Sequence, residues 1–381
     1  MGIAVRSTHR SSNVIYLSKR AIMTLDLITL TQELIRYRSI PAYPQELDAI
    51  LEFALSHLQG FTLERFEDNG YKSILLYNTE TRPECFTLLL NGHLDVIPGN
   101  DTQYEGRVEG DKLYGVGSMD MKANVACLIA VFREMAGKVD YPLALQLVTD
   151  EELGGFHGTK HQVDQGVRAD FVITSESTNF HIVHKAKGVL WAKVIARGKT
   201  AHGAYPWAGE NAIEKMMEFL AALKKEFPNP TEKAWVSTVN IGAISTPNET
   251  FNKIPDLCEV ALDIRFTPEE SETIAQRLQG LTTEGLSLEI ISHEPAMSTP
   301  EDDDHLRLLQ QVAVDVTGED SILYGAQGSS DARHFTAVGC GGVEFGPVGG
   351  GIGTDEEWVS IASLDTYCEI LRRYMNHLNE K

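Results

Sequence analysis

Several short runs, KSILLYN, CFTLLLNGHLDV, LALQLVTDEE and DFVITSES, are mostly apolar, and the last three carry acids or histidine toward their C-terminal ends. Runs that show no polar face are strands with both faces covered. Between them lie stretches with apolar residues at helical spacing, at 26–37, 45–58, 121–135 and 157–166. Buried strands alternating with helices predict an α/β fold, a central mixed sheet with parallel members flanked by helices.

The pattern changes after about residue 187. VLWAKVIARG, WVSTVNIGAIS, CEVALDIRFTP and LSLEIIS read as strands, with helices over 211–227 and 271–279. This predicts an inserted α+β segment at 188–292, built on a sheet of its own. The chain then returns through TPEDDD to a helix at 305–317, a strand, glycine-rich turns and a last helix at 363–378. The expected division is therefore a first domain made of 23–187 and 293–381, with 188–292 inserted into it.

The polar residues at the strand ends carry the chemistry. NGHLDV sets His93 and Asp95 two residues apart, so both side chains are expected on one face of a strand. That spacing suits a metal-binding imidazole and a carboxylate that fixes its tautomer. YGVGSMDMK places Asp120 at the mouth of a helix, after a glycine-rich turn. TDEELGG sets Asp150, Glu151 and Glu152 side by side, and adjacent carboxylates repel unless a cation compensates them. The glycines that follow let the backbone aim two of them differently, one toward a metal and one as a general base. SES adds Glu176. Taken alone, each has an ordinary reading as a capping charge or a solvated turn; the ordered set offers enough imidazole and carboxylate donors for two zinc-type ions. In the inserted segment, GKTAHGAYP exposes His202 on a loop.

These strings are together similar to a family. From about residue 24 to the end, the chain resembles the zinc metallopeptidases and amidohydrolases that include acetylornithine deacetylase, succinyl-diaminopimelate desuccinylase and glutamate carboxypeptidase. NGHLDV, YGVGSMDMK, TDEELGG, GKTAHGAYP and DIRF occur in the family's order. The resemblance implies a metal-dependent hydrolase that cleaves the amide bond of an N-acyl amino acid, or a short peptide, with zinc-activated water. His93 and Glu176 would hold one zinc and Glu152 a second, with Asp120 between them. Asp95 would orient His93, Glu151 would be the general base, and His202 would stabilise the oxyanion, often from the partner subunit. Asn252, Arg265, Lys187 and Ser329 would meet the substrate's acidic end. Zinc is the expected cofactor, as one or two ions, with cobalt or manganese as substitutes. The inserted segment would be a ferredoxin-like lid through which a homodimer forms.

One position departs from the family. The second zinc site is closed there by a C-terminal histidine, and in FGPVGGGIGTDEEWV that place falls on Gly353. Three readings stay open: Asp355 or Glu356 substitutes, one zinc suffices, or the protein binds a carboxylated amino-acid derivative without turning it over.

The formal charge of −21 argues against sequence-independent nucleic-acid binding. No apolar run reaches the ~18 residues of a membrane helix. Five scattered cysteines, never spaced C-x-x-C, point to a reducing compartment and a cytoplasmic protein. Residues 1–22, basic and free of acids, read as a dispensable leader ahead of Met23.

Overall fold

The computed structural model describes residues 26–380, so the leader expected at 1–22 lies outside the described residues. Strand Phe86–His93 runs through the middle of a nine-stranded sheet, parallel to Leu143–Val148 on one side and to Ala169–Thr174 on the other. Beyond Leu143–Val148 the sheet continues antiparallel, through Tyr71–Tyr77 and then Thr62–Asp68. On the opposite side, Gly341–Glu344 pairs parallel with Ala169–Thr174. The sheet is therefore mixed, with helices on both faces.

The alternation along a strand explains why the runs are apolar throughout. Leu88 and Leu90 point into one core, with helices Leu27–Ile35, Lys122–Met135 and Ile361–Asn379. Leu89 points the other way, into a second core with Val172, Val163 and Phe335. All three leucines are fully buried, and truncating any one to alanine costs about 2–5 kcal/mol.

Strands Gly188–Arg197, Thr238–Ser245, Leu257–Phe266 and Leu286–Glu294 form a separate antiparallel sheet. Helices Ala212–Glu226 and Ile274–Gln279 interrupt them, giving a β-α-β-β-α-β order of the ferredoxin-like kind. Along Gly188–Arg197, Leu190, Ala192, Val194 and Ala196 enter a core shared with those helices, while Trp191 and Lys193 face away.

The sequence reading missed some strands. In Thr62–Asp68 charged residues interrupt the apolar ones, and Ile182–Ala186 and Gly341–Glu344 are too short to show a period. The parallel strands end along one edge, where the chain turns at His93, after Val148 and after Thr174. At such a carboxyl edge, α/β sheets leave a crevice for ligands.

Candidate metal centre

His93 is the last residue of its strand and is almost fully buried. Its Nε2 lies 2.9 Å from Asp120 Oδ1 and 3.6 Å from Glu176 Oε1. Donor atoms of His93, Asp120 and Glu176 all fall within 4.8 Å of one another. Burial alone would lower the His93 pKa, but hydrogen bonding to Asp120, Asp95 and Glu176 outweighs it and raises it well above the ordinary value.

Asp95 acts differently from the expectation of two side chains on one strand face, because the strand ends at His93. The His93 Nδ1 is 3.0 Å from the Asp95 backbone oxygen and 3.5 Å from its carboxylate. The carboxylate accepts the backbone N–H groups of Glu151 at 3.2 Å and Glu152 at 2.9 Å. One aspartate thus ties the imidazole to the acidic turn.

The three adjacent acids of that turn diverge. Asp150 turns inward, where its Oδ2 accepts the His157 N–H at 2.7 Å. Glu151 lines a cavity of about 230 Å³ together with Asp120, Glu176, Ser329 and Glu344. Glu152 accepts the Ile97 N–H at 3.2 Å and faces a neighbouring cavity beside Asp120. Gly154 and Gly155 have φ of +104° and +64°, and a Cβ on Gly155 would sit 1.9 Å from Asp331 Oδ1. Only glycine permits this turn.

Crowding of carboxylates shows in their proton affinities. Burial, offset in part by His93 and reinforced by Asp331, Glu176 and Asp120, raises Glu151 well above the carboxylate range. Burial also pushes Glu152 and Glu176 to about 7, with Asp120 adding to both. A buried group of acids around one imidazole is costly without compensating positive charge. One nitrogen and two carboxylate oxygens converging on a point fit a zinc-type ion.

The sequence reading did not single out Glu357, Glu344 or Asp331. Both Asp355 and Glu356 are exposed, and Glu356 lies 3.8 Å from Arg107. The buried acid of that loop is Glu357, whose Oε1 accepts N–H groups of Met119 at 2.8 Å and Asp120 at 3.1 Å, and whose Oε2 accepts that of Gly117 at 3.2 Å. It clamps the turn carrying Asp120. Glu344, pushed up to about 8 by burial and then by Glu176, forms part of the cavity wall. Asp331 is buried and accepts the Thr159 hydroxyl at 2.5 Å.

The substrate-side residues are more dispersed. Ser329 lines both the first cavity and one of about 380 Å³ formed with Glu151, Trp191, Arg265 and Arg333. Its buried hydroxyl has no hydrogen-bond partner. Arg265 faces this larger cavity, with Asp263 2.8 Å from its Nε. Lys187 is buried, its pKa lowered by burial and by Arg265, and lines none of these cavities. His202 and Asn252 sit on neighbouring exposed loops of the second sheet, where the Gly203 N–H donates to the Asn252 carbonyl at 2.7 Å. Neither lines a cavity with Glu151.

The model of peptidase family M20/M25/M40 matches residues 89–377. The chain belongs to this family. A succinyl-diaminopimelate desuccinylase of Ehrlichia ruminantium is 28% identical over 387 aligned residues, covering 93% of this chain and 99% of the relative. That of Dinoroseobacter shibae is 30% identical over 383, covering 92% and 99%. Among solved structures, the aminopeptidase PepT of Bacillus cereus superposes with a TM-score of 0.76 at 19% identity, covering 93% of this chain and 98% of its own. A dinuclear metal-binding M20 peptidase of Bacillus subtilis gives 0.69 at 12% identity, covering 93% and 98%. As a member of this family the chain is a metal-dependent hydrolase.

Proposed function

We propose that this chain hydrolyses the amide bond of an N-acyl amino acid of the succinyl-diaminopimelate or acetylornithine kind, or of a short peptide. The observation that carries the proposal is the convergence of His93, Asp120 and Glu176 beside a cavity that Glu151 also lines. Similarity to desuccinylases over nearly the whole chain supports the substrate class.

His93, Asp120 and Glu176 would hold zinc, with cobalt or manganese as substitutes. Bound there, the metal supplies Lewis acidity toward the amide carbonyl and toward water. Glu151 removes a proton from the attacking water and delivers it to the leaving amine. Its place on the cavity wall beside Asp120 and Glu176 suits both halves of that transfer. Asp95 holds the imidazole and the turn bearing Glu151 in one arrangement. The unpaired Ser329 hydroxyl and Arg265, which line one cavity with Glu151, serve the substrate's carboxylate end.

In this proposal residues 188–292 form a lid and dimerisation domain on a catalytic domain made of 23–187 and 293–381. A second copy of the chain brings His202 to the oxyanion. The protein works in the cytoplasm, in keeping with five free cysteines. Among the described residues no helix is long and apolar enough to cross a membrane. The reading of Gly353 as a loss of activity draws no support from the site, where Glu151 and the three converging donors are all in place.

The test is turnover of succinyl-diaminopimelate, acetylornithine and dipeptides by metal-free protein titrated with zinc. Turnover that returns with metal and is abolished in Glu151→Gln supports the proposal. Metal binding with no turnover across that panel contradicts it.

A further inference from the structure

The larger of the two cavities that Glu151 lines, about 380 Å³, is walled by the acidic turn and the second sheet. That volume falls in the ~300–1,000 Å³ range of small-molecule sites. Strand register sets the sheet wall. Gly188–Arg197 pairs with Leu257–Phe266 so that Val189 lies opposite Arg265 and Trp191 opposite Asp263. These four side chains share one face, because their neighbours Leu190, Ala192, Leu262 and Ile264 fill the core on the other.

Asp263 ties two of the four together. Its Oδ1 accepts the Trp191 Nε1–H at 3.1 Å and the Arg265 Nε–H at 2.8 Å. With its single N–H engaged, the indole has only apolar surface left to present. Arg265 gives Nε and Nη2 to Asp263, and its Nη1 has no hydrogen-bond partner among the described residues. One aspartate therefore holds an apolar plate and a guanidinium in a fixed relation.

The acidic turn supplies Leu153 and Phe156 to the same cavity. Trp191 and Leu153 are 47% and 45% exposed, so large apolar surfaces meet solvent in a site that Glu151 also lines. Scattered singly over a surface such residues are ordinary, but gathered in a concave site they suit an apolar ligand group. Glu294, also in the wall, accepts the Ser292 hydroxyl at 3.2 Å.

We infer that Trp191, with Leu153 and Phe156, selects substrates whose carboxylate-bearing residue has a broad apolar side chain, such as that of phenylalanine or leucine. The inference rests on the amide-hydrolase reading and narrows it. A carboxylate held by Arg265 and Ser329 leaves the side chain of the same residue against the indole, where contact removes water from both surfaces. The ammonium of an ornithine chain would instead meet the like charge of Arg265. Capture of that ammonium by Glu294 is the competing outcome.

The test uses three compounds alike in acyl group and carboxylate: N-acetylphenylalanine, N-acetylalanine and N-acetylornithine. Turnover is measured as kcat/KM on the zinc-loaded full chain. Affinity is measured by calorimetry on zinc-loaded Glu151→Gln, which should hydrolyse them too slowly to interfere. The expected result in both readouts is a preference of at least ~10-fold for N-acetylphenylalanine over the other two, the low end for a hydrophobic pocket. Trp191→Ala should lose most of that preference while keeping its zinc and its melting temperature. Equal turnover of the three compounds, or a preference for N-acetylornithine, overturns the inference and leaves the hydrolase reading standing. A full preference surviving in Trp191→Ala also overturns it. Absence of turnover with the affinity order intact supports the apolar site and overturns the hydrolase reading, and absence of both overturns both. The comparison among compounds in the wild-type chain does not depend on how the Trp191 variant folds.

Discussion

Replacing Glu357 by glutamine separates clamping of the metal-site turn from binding of the metal. Glu357 is 2% exposed and accepts three backbone N–H groups, two on Oε1 and one on Oε2. Glutamine keeps the Oε1 acceptor and loses the other, so its amide NH2 confronts the Gly117 N–H donor to donor. Leaving one buried N–H unsatisfied costs about 1–3 kcal/mol. Part of that falls on stability and part on the placement of Asp120, the residue whose own N–H is one of the three. Loss of a group that orients a metal ligand typically weakens metal binding ~10–100-fold, or about 1.4–2.7 kcal/mol. Burial, the leading influence, raises the Glu357 pKa to about 7, so the measurement belongs near pH 8, where the carboxylate is ionised. Zinc affinity is read by competition with a chromophoric chelator, and fold by circular dichroism. Glu357→Gln should bind zinc at least tenfold more weakly with an unchanged spectrum. Wild-type affinity and wild-type thermal stability together would refute the clamp.

Three other outcomes are expected. Glu151→Gln should keep zinc affinity and melting temperature while turnover falls by ~10²–10⁴, the range for a lost general base; equal loss of zinc would make Glu151 a ligand instead. Gly155→Ala should destabilise by more than ~1 kcal/mol in a urea titration, since φ is +64° and the new methyl would meet Asp331; a neutral result would mean the turn relaxes freely. Burial, with Arg333 adding, holds His334 down to about 3, so the folded state keeps it neutral. A depressed pKa makes its stability contribution complete above the unfolded value of ~6.5 and progressively lost as pH falls from there toward 3. His334→Gln should therefore show a shallower loss of melting temperature between pH 6.5 and 5 than wild type, and parallel curves would contradict this.

Much of the site was legible because strand ends are local events. His93, Glu151, Glu152 and Glu176 each follow an apolar run within a few residues, so their place at one edge follows from the run itself. What escaped depends on contacts across the chain. Glu357 reaches back 237 to 240 residues to the turn it clamps, and only its position before the short strand Trp358–Ser360 sets it apart from its exposed neighbours. Two adjacent acids, Asp355 and Glu356, were the readier candidates, yet burial selects the next residue along. Asp331 and Glu344 are buried acids in strings that look unremarkable in sequence, GSSDARHF and GGVEFG. Asp95 was expected to act on His93 from the same strand face, but the strand stops at His93. Its carboxylate still lies 3.5 Å from the His93 Nδ1 and also accepts the N–H groups of Glu151 and Glu152, a contact no spacing rule contains. For His202 and Asn252 the sequence suggests a loop, and the structure puts them on neighbouring exposed positions that border no cavity with Glu151.

The most direct test of the central claim is an anomalous-difference map from crystals of the protein grown with zinc. The account predicts a peak between His93 Nε2 and the carboxylates of Asp120 and Glu176, with ligand distances of about 2.0–2.2 Å. A map with no peak there, in protein that turns over substrate, would contradict it.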